Sequence, residues 1–170
     1  LTTDQRASPR KTGAHVDIGA YEAGSYPVIN NNDSGPGSLR QAILVAPASD
    51  LIVFASNVTG TITLTSGEIT INANRNIVGP VTGVTVSGNN ASRVFKILLP
   101  GYTVSIGNLT ISNGRVAGNS GSGSGQNGVD ALGGGVLNYG TLTLTNCTLR
   151  NNSAIGGDGG DGTFFGTGGN

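Results

Sequence analysis

The sequence predicts an all-β chain of the β-solenoid class with one short helix near its start, and three observations predict it. From residue 60 onward, Ile, Leu and Val take every second place, with Thr, Ser or Asn between them, in "TITLTSGEITINAN", "GVTVSGNN", "YTVSIGNLTISNG" and "GTLTLTNCTLRNN". Period-two alternation marks half-buried strands, here short and separated by Gly and Asn turns. Second, "VSIGNLTISNG" from Val104 superposes without a gap on "LTLTNCTLRNN" from Leu142, 38 residues later. Val104 then matches Leu142, Ile106 matches Leu144, Asn108 matches Asn146, Leu109 matches Cys147 and Ile111 matches Leu149. Third, aromatic residues are only 5% of the chain, and small aliphatics fill the inward places. A sandwich or antiparallel barrel, the other all-β reading, wants hairpin dipeptides between similar adjacent strands and a more aromatic core. Repeated units with a few apolar residues each bury them only by stacking on one another, which favours the solenoid.

The helix belongs to residues 32–56, a cap followed by a first strand. In "NDSGPGSLRQAILVAPASDLIVF", Ser38 is a good N-cap, Leu39, Ala42, Ile43 and Ala46 share one face, and Pro47 stops the helix. A solenoid leaves the interior of its first rung open and its strand edges unpaired, so an amphipathic lid with Leu39 and Ile43 on its inner side is what that end needs. Residues 57–170 carry the rungs. Within them, "GRVAGNSGSGSGQNGVDALGGG", residues 114–135, is too polar and glycine-rich to supply apolar packing and reads as an excursion loop inside the 38-residue period.

Composition narrows the function classes. The chain has 170 residues, enough for one main domain with a core. Glycine supplies 30 of them, above the usual ~7%, and charged residues are 11% where roughly 25% is ordinary. Nine basic and nine acidic residues give zero formal net charge, with no basic cluster to neutralise phosphates, so neither nucleic acid nor an anionic membrane is expected as a partner. No apolar stretch reaches the ~18 residues of a membrane-spanning helix, and the start has no signal-peptide pattern, so no membrane insertion is expected. Cys147 is the single cysteine, which rules out an intrachain disulfide. The absence of methionine implies that Leu1 is not an initiator and that the chain is a processed product or a segment of something longer.

Three stretches resemble one family. "NDSGPGSLRQAI" looks like the amino-terminal cap motif of bacterial secreted right-handed parallel β-helix proteins of the pectin-lyase-like superfamily. "GGGVLNYGTLTLTNCTLRNNSA" is similar to the repeats of the same proteins, which also occur in polymorphic outer-membrane adhesins. "TDQRASPRKTGAHVDIGAYE" resembles the motif that closes the carboxyl end of such helices, departing from it at Ala7, where a glycine is usual. The resemblance implies an all-β, right-handed parallel β-helix with a short N-terminal capping helix, at the cell surface or outside the cell. It also implies an odd order: residues 1–24 close a preceding or neighbouring β-helix, residues 25–31 cross over, and the next unit begins. Asp4, Arg6, Arg10, Asp17, Ile18, Tyr21 and Glu22 are then the expected inter-unit docking residues.

Candidate chemistry is sparse, and no catalytic residue is assigned. Polysaccharide lyase chemistry on this scaffold needs carboxylates holding calcium against a uronate beside an Arg or Lys base, whereas Asp33, Asp50, Glu68 and Asp130 are scattered singly. His15 and Asp17 are two apart on one strand face, but no nucleophile accompanies them and both lie in the closing motif, so a structural contact is expected. No cofactor is expected. Asp158 and Asp161 in "GGDGGDG" are the one weak metal candidate, for calcium, and a single copy falls short because such sites share ligands between successive turns. Cys147 should point inward as a small hydrophobe, and Asn108 and Asn146 should stack as a hydrogen-bonded ladder. Asn57, Asn90, Asn108, Asn146 and Asn151 begin Asn-x-Ser/Thr sequons and are candidate glycosylation acceptors.

The expected function is therefore non-enzymatic: an extracellular structural building block assembling with copies of itself head to tail, as tandem modules or filament subunits, in a surface layer, fibre or adhesin. The alternative is a carbohydrate-binding or lyase-like protein, with surface polysaccharide as partner. Sugars stack on exposed aromatics, and of Tyr21, Tyr26, Tyr102, Tyr139 and four Phe, only Tyr139 and Phe164–Phe165 are expected at the surface, not as a set at one rung position.

Overall fold

The computed structural model describes residues 24–123 and 125–160. Strand β1 (Ser25–Val28) precedes the helix α1 (Leu39–Val45). Next come β2 (Leu51–Phe54), β3 (Gly60–Thr63) and β4 (Ile69–Ile71), then β5 (Arg75–Val78), β6 (Val84–Ser87) and β7 (Phe95–Ile97). β8 (Thr103–Gly107), β9 (Leu109–Ser112), β10 (Arg115–Ala117) and β11 (Val136–Asn138) follow, and β12 (Thr141–Thr145), β13 (Thr148–Arg150) and β14 (Ser153–Ile155) complete the series.

Every pairing among these strands is parallel. The first sheet has the order β1-β2-β5-β8-β12, the second β13-β9-β6-β3, the third β11-β7-β4, and β10-β14 form a fourth. The chain thus runs from first sheet to second to third and returns to the first one strand further on. Parallel neighbours cannot be joined by a tight hairpin, and here the passage through the other sheets supplies the long connection.

Side-chain period two and this parallel register put like on like. Ile52, Ile77, Ile106 and Leu144 form one column, and Ile62, Val86, Ile111 and Leu149 another. Except at the last turn these are fully buried, and with Ile69, Ile71, Phe95 and Ile97 they make one continuous core. Each such side chain contributes about 1.5–3 kcal/mol by leaving water. The internal repeat is realised residue by residue: Val104 pairs with Leu142, Ile106 with Leu144 and Ile111 with Leu149.

The helix sits where the sequence places it. Ser38 is its N-cap, with Oγ accepting from the Gln41 amide at 3.1 Å and donating to the Gly35 carbonyl at 2.8 Å. Leu39, Ala42, Ile43 and Ala46 are buried over the start of the stack. The stretch 25–31, expected as a crossover, opens with β1 instead, paired in register with β2 from Ser25 to Val28. Val28 there is fully buried.

The expected excursion, 114–135, is ordered in a way composition hid. Arg115–Ala117 is β10, paired with β14. Beyond it, three glycine-rich segments hydrogen-bond in a cycle. The amides of Gly118 and Gly121 donate to Ile155 and Asp158, those of Gly157 and Gly160 to Val129 and Gln126, and that of Val129 to Asn119. Gly118 and Gly121, like Gly157 and Gly160, are three residues apart, the period of a polyproline II strand, which brings glycine to a crowded axis at every third place. A methyl at Gly118 would fall on the Val129 carbonyl, and one at Gly157 on that of Asn119. The segments pack by backbone because nothing larger than hydrogen fits between them.

Candidate functional site

Four charged side chains, Asp33, Arg40, Glu68 and Arg93, tie successive layers together. Asp33, in the loop before α1, receives Arg40 Nη2 at 2.7 Å, the Ser66 amide at 2.7 Å and the Thr65 amide at 3.2 Å. Burial pushes its pKa up, but the hydrogen bonds from Ser66 and Arg40 outweigh it, and the carboxyl is lowered from 3.8 to about 2. Arg40 also donates to the carbonyls of Gly67 and Glu68. Glu68 in turn binds Arg93 and lies 3.9 Å from Lys96 Nζ, and Arg93 reaches the carbonyls of Gly133 and Leu132. Acid and arginine alternate as a spine from the cap loop to the excursion. Deeper in, Arg75 and Asp50 are both buried. Burial draws the Arg75 guanidinium below its ordinary pKa against the opposing charge of Asp50, and its Nε donates at 2.9 Å to Ile43 O, a carbonyl of the last helical turn.

Asparagines build the corners. Asn108 and Asn146 adopt φ of 57° and 52°, and Asn146 Nδ2 donates to Asn108 Oδ1 at 3.5 Å, continuing Asn108 Nδ2 to the Gly79 carbonyl at 3.2 Å. Asn90 and Asn151 also have positive φ. Among the sequon residues, Asn57, Asn90, Asn146 and Asn151 are exposed and Asn108 half-buried in its ladder. Cys147 packs against the core with Sγ donating to Ile106 O at 3.3 Å.

The last turn differs from those before it. Leu144 is 37% and Leu149 51% exposed, although both continue columns whose earlier members, Ile106 and Ile111, are fully buried. Ile155 is 50% exposed, and β12, β13 and β14 have no further strand on their outer side among the described residues.

Asp4, Arg6, Arg10, Asp17, Ile18, Tyr21 and Glu22, with His15, lie outside the described residues, as do Asp161, Phe164 and Phe165. Asp158 is exposed, and among the described residues no three His, Cys, Asp or Glu side chains converge as metal ligands. Tyr139 is exposed, Tyr26 and Tyr102 pack on the core. Asp33, Asp50 and Glu68, scattered in sequence, each have their own cationic neighbour, Arg40, Arg75 and Arg93. Sequence reading missed the buried Arg75, although its place two before Ile77 in an alternating strand already marked it as inward. It missed Asn152 as well, whose Oδ1 accepts from Gly114 and Nδ2 donates to Ile111 O. No helix among the described residues is long and apolar enough to cross a membrane. The chain matches no protein-family model, no curated protein sequence and no solved structure.

Proposed function

We propose that this chain is a right-handed parallel β-helix that works as a non-enzymatic extracellular building block, joined head to tail in a fibre, surface layer or adhesin. The observation that carries the reading is the repeated register: the turn of β12 and β13 pairs like on like with its predecessor, and among the described residues Leu144, Leu149 and Ile155 are exposed on β12, β13 and β14, which have no further strand on their outer side. An edge of that kind accepts another layer by strand addition. Heterologous contacts between unlike ends propagate along an axis. At the other end, Ile29, Leu44 and Val45 are exposed around the cap, giving an apolar surface for the layer above. The charged side chains support a structural role, since Asp33, Arg40, Glu68 and Arg93 are engaged with neighbouring layers.

Electron microscopy of the purified full chain tests this. Uniform filaments with a repeat matching a short stack are expected, and monodisperse particles that cleave polyuronate would overturn it. Deleting residues 1–24 should leave the fold intact, seen by circular dichroism, while assembly is lost; unchanged filaments would remove those residues from the contact.

A further inference from the structure

The outer face of the second sheet carries a feature that stacking does not require. Register places Thr61 beside Thr85, Thr85 beside Thr110 and Thr110 beside Thr148. Each Thr precedes a residue of one inward column, Ile62, Val86, Ile111 or Leu149, so by alternation the four point outward in one straight column. Neighbouring strands lie about 4.8 Å apart, so the column repeats at that interval. Thr61 and Thr148 are exposed, and Thr85 and Thr110 half-buried between their neighbours. None of the four hydroxyls has a hydrogen-bond partner among the described residues, in a molecule where Asp33, Glu68, Asn108 and Asn152 are all engaged. In the adjoining column, Thr63, Ser87, Ser112 and Arg150, the two serines are buried, so beside the threonines only Thr63 and Arg150 reach the surface and the face holds a single charge, at the last turn. In that column, Ser112 Oγ is buried without a partner, the condition that a bound water relieves.

We propose that this face binds ice. A threonine offers a methyl and a hydroxyl held in few rotamers by β-branching, so a column of them on a rigid sheet presents donors and acceptors at fixed points. Water held on hydroxyls about 4.8 Å apart is spaced close to the lattice repeat of hexagonal ice, and the methyls between them order it further. The chemistry of the face selects this partner. It lacks the charge that would draw an ionic polymer, and β3, β6, β9 and β13 contain no aromatic ring on which a sugar could stack. The column does not depend on head-to-tail assembly, although stacking of units would lengthen it.

The test uses the full chain and the double variant Thr85→Lys/Thr110→Lys, with Asn76→Lys on the exposed face of β5 as a control. All three should share one β-type circular dichroism spectrum, because none of the substituted side chains is in the core. The wild type and the control should facet growing ice crystals and inhibit recrystallisation of a frozen sucrose solution, and the double variant should lose both effects. Ice growth in wild-type protein indistinguishable from that in an inert protein of equal mass would overturn the proposal, as would full activity in the double variant. Threonine-dependent retention on insoluble cellulose with no effect on ice would also overturn it and assign the face to a neutral polysaccharide.

Discussion

The molecule is stacked in two different ways. From β2 to β9, layers are held by aliphatic columns such as Ile52, Ile77 and Ile106, where Ile77 meets an isoleucine above and below. Among the glycine-rich segments at 118–121, 126–129 and 155–160, layers are held by amides and carbonyls in close backbone contact. In the first region stability scales with the apolar volume kept, and in the second with the volume left out. A given change, adding or removing a methyl, therefore has opposite meaning in the two regions, and the largest predicted effects exploit this.

Ile106→Ala should cost about 2–5 kcal/mol of global stability, read from urea unfolding, because it opens a cavity in the central column. Gly118→Ala should cost less, about 1–3 kcal/mol, by overpacking. Its effect should also be local: hydrogen exchange should accelerate at the amides of residues 115–129 and 153–160 while β5 to β9 stay protected. Equal loss of protection in both regions would mean that they form one cooperative unit.

The corners separate backbone from side chain on a smaller scale. At Asn108, φ of 57° disfavours any residue with an ordinary Cβ by about 1–2 kcal/mol. Asn108→Ala should therefore lower the melting temperature more than Asn108→Gly, which keeps the conformation and loses only the ladder bonds to Gly79 and Asn146. The smallest expected effect is that of acid on Asp33. Its carboxyl is lowered to about 2 in the fold against 3.8 ordinarily, so its contribution is complete above pH about 4 and lost as pH falls through about 2. Asp33→Asn should remove that part of the acid dependence, measured as the shift in melting temperature between pH 5 and pH 2.

How much of this was legible depends on which force holds each part. The columns were readable because period-two alternation and a gapless repeat fix both strand and register, and Val104 to Leu142 is the observed pairing. Ser38, Leu39 and Ile43 were readable because helix capping and one-sided burial are local. The glycine segments were not, since residues without side chains leave no hydrophobic pattern. Their only trace was the three-residue spacing of Gly118 and Gly121 and of Gly157 and Gly160. β1 was missed for a related reason: "SYPV" carries a proline tolerable only near an edge, and its single fully buried residue, Val28, gives no alternation. The spine of Asp33, Arg40, Glu68 and Arg93 joins residues far apart in sequence, so single charges looked scattered until the turns brought them together.

Head-to-tail joining through the turn that carries Leu144 and Leu149 is tested most directly by sedimentation velocity. Leu144 and Leu149 already face solvent, so Leu144→Lys/Leu149→Lys should leave the stack intact while placing two charges where a further layer would sit. The wild type is expected to form species that grow with concentration while the double variant stays at the mass of one chain. A wild type that remains a single chain at every concentration, or a variant that assembles equally well, would contradict head-to-tail joining through this face.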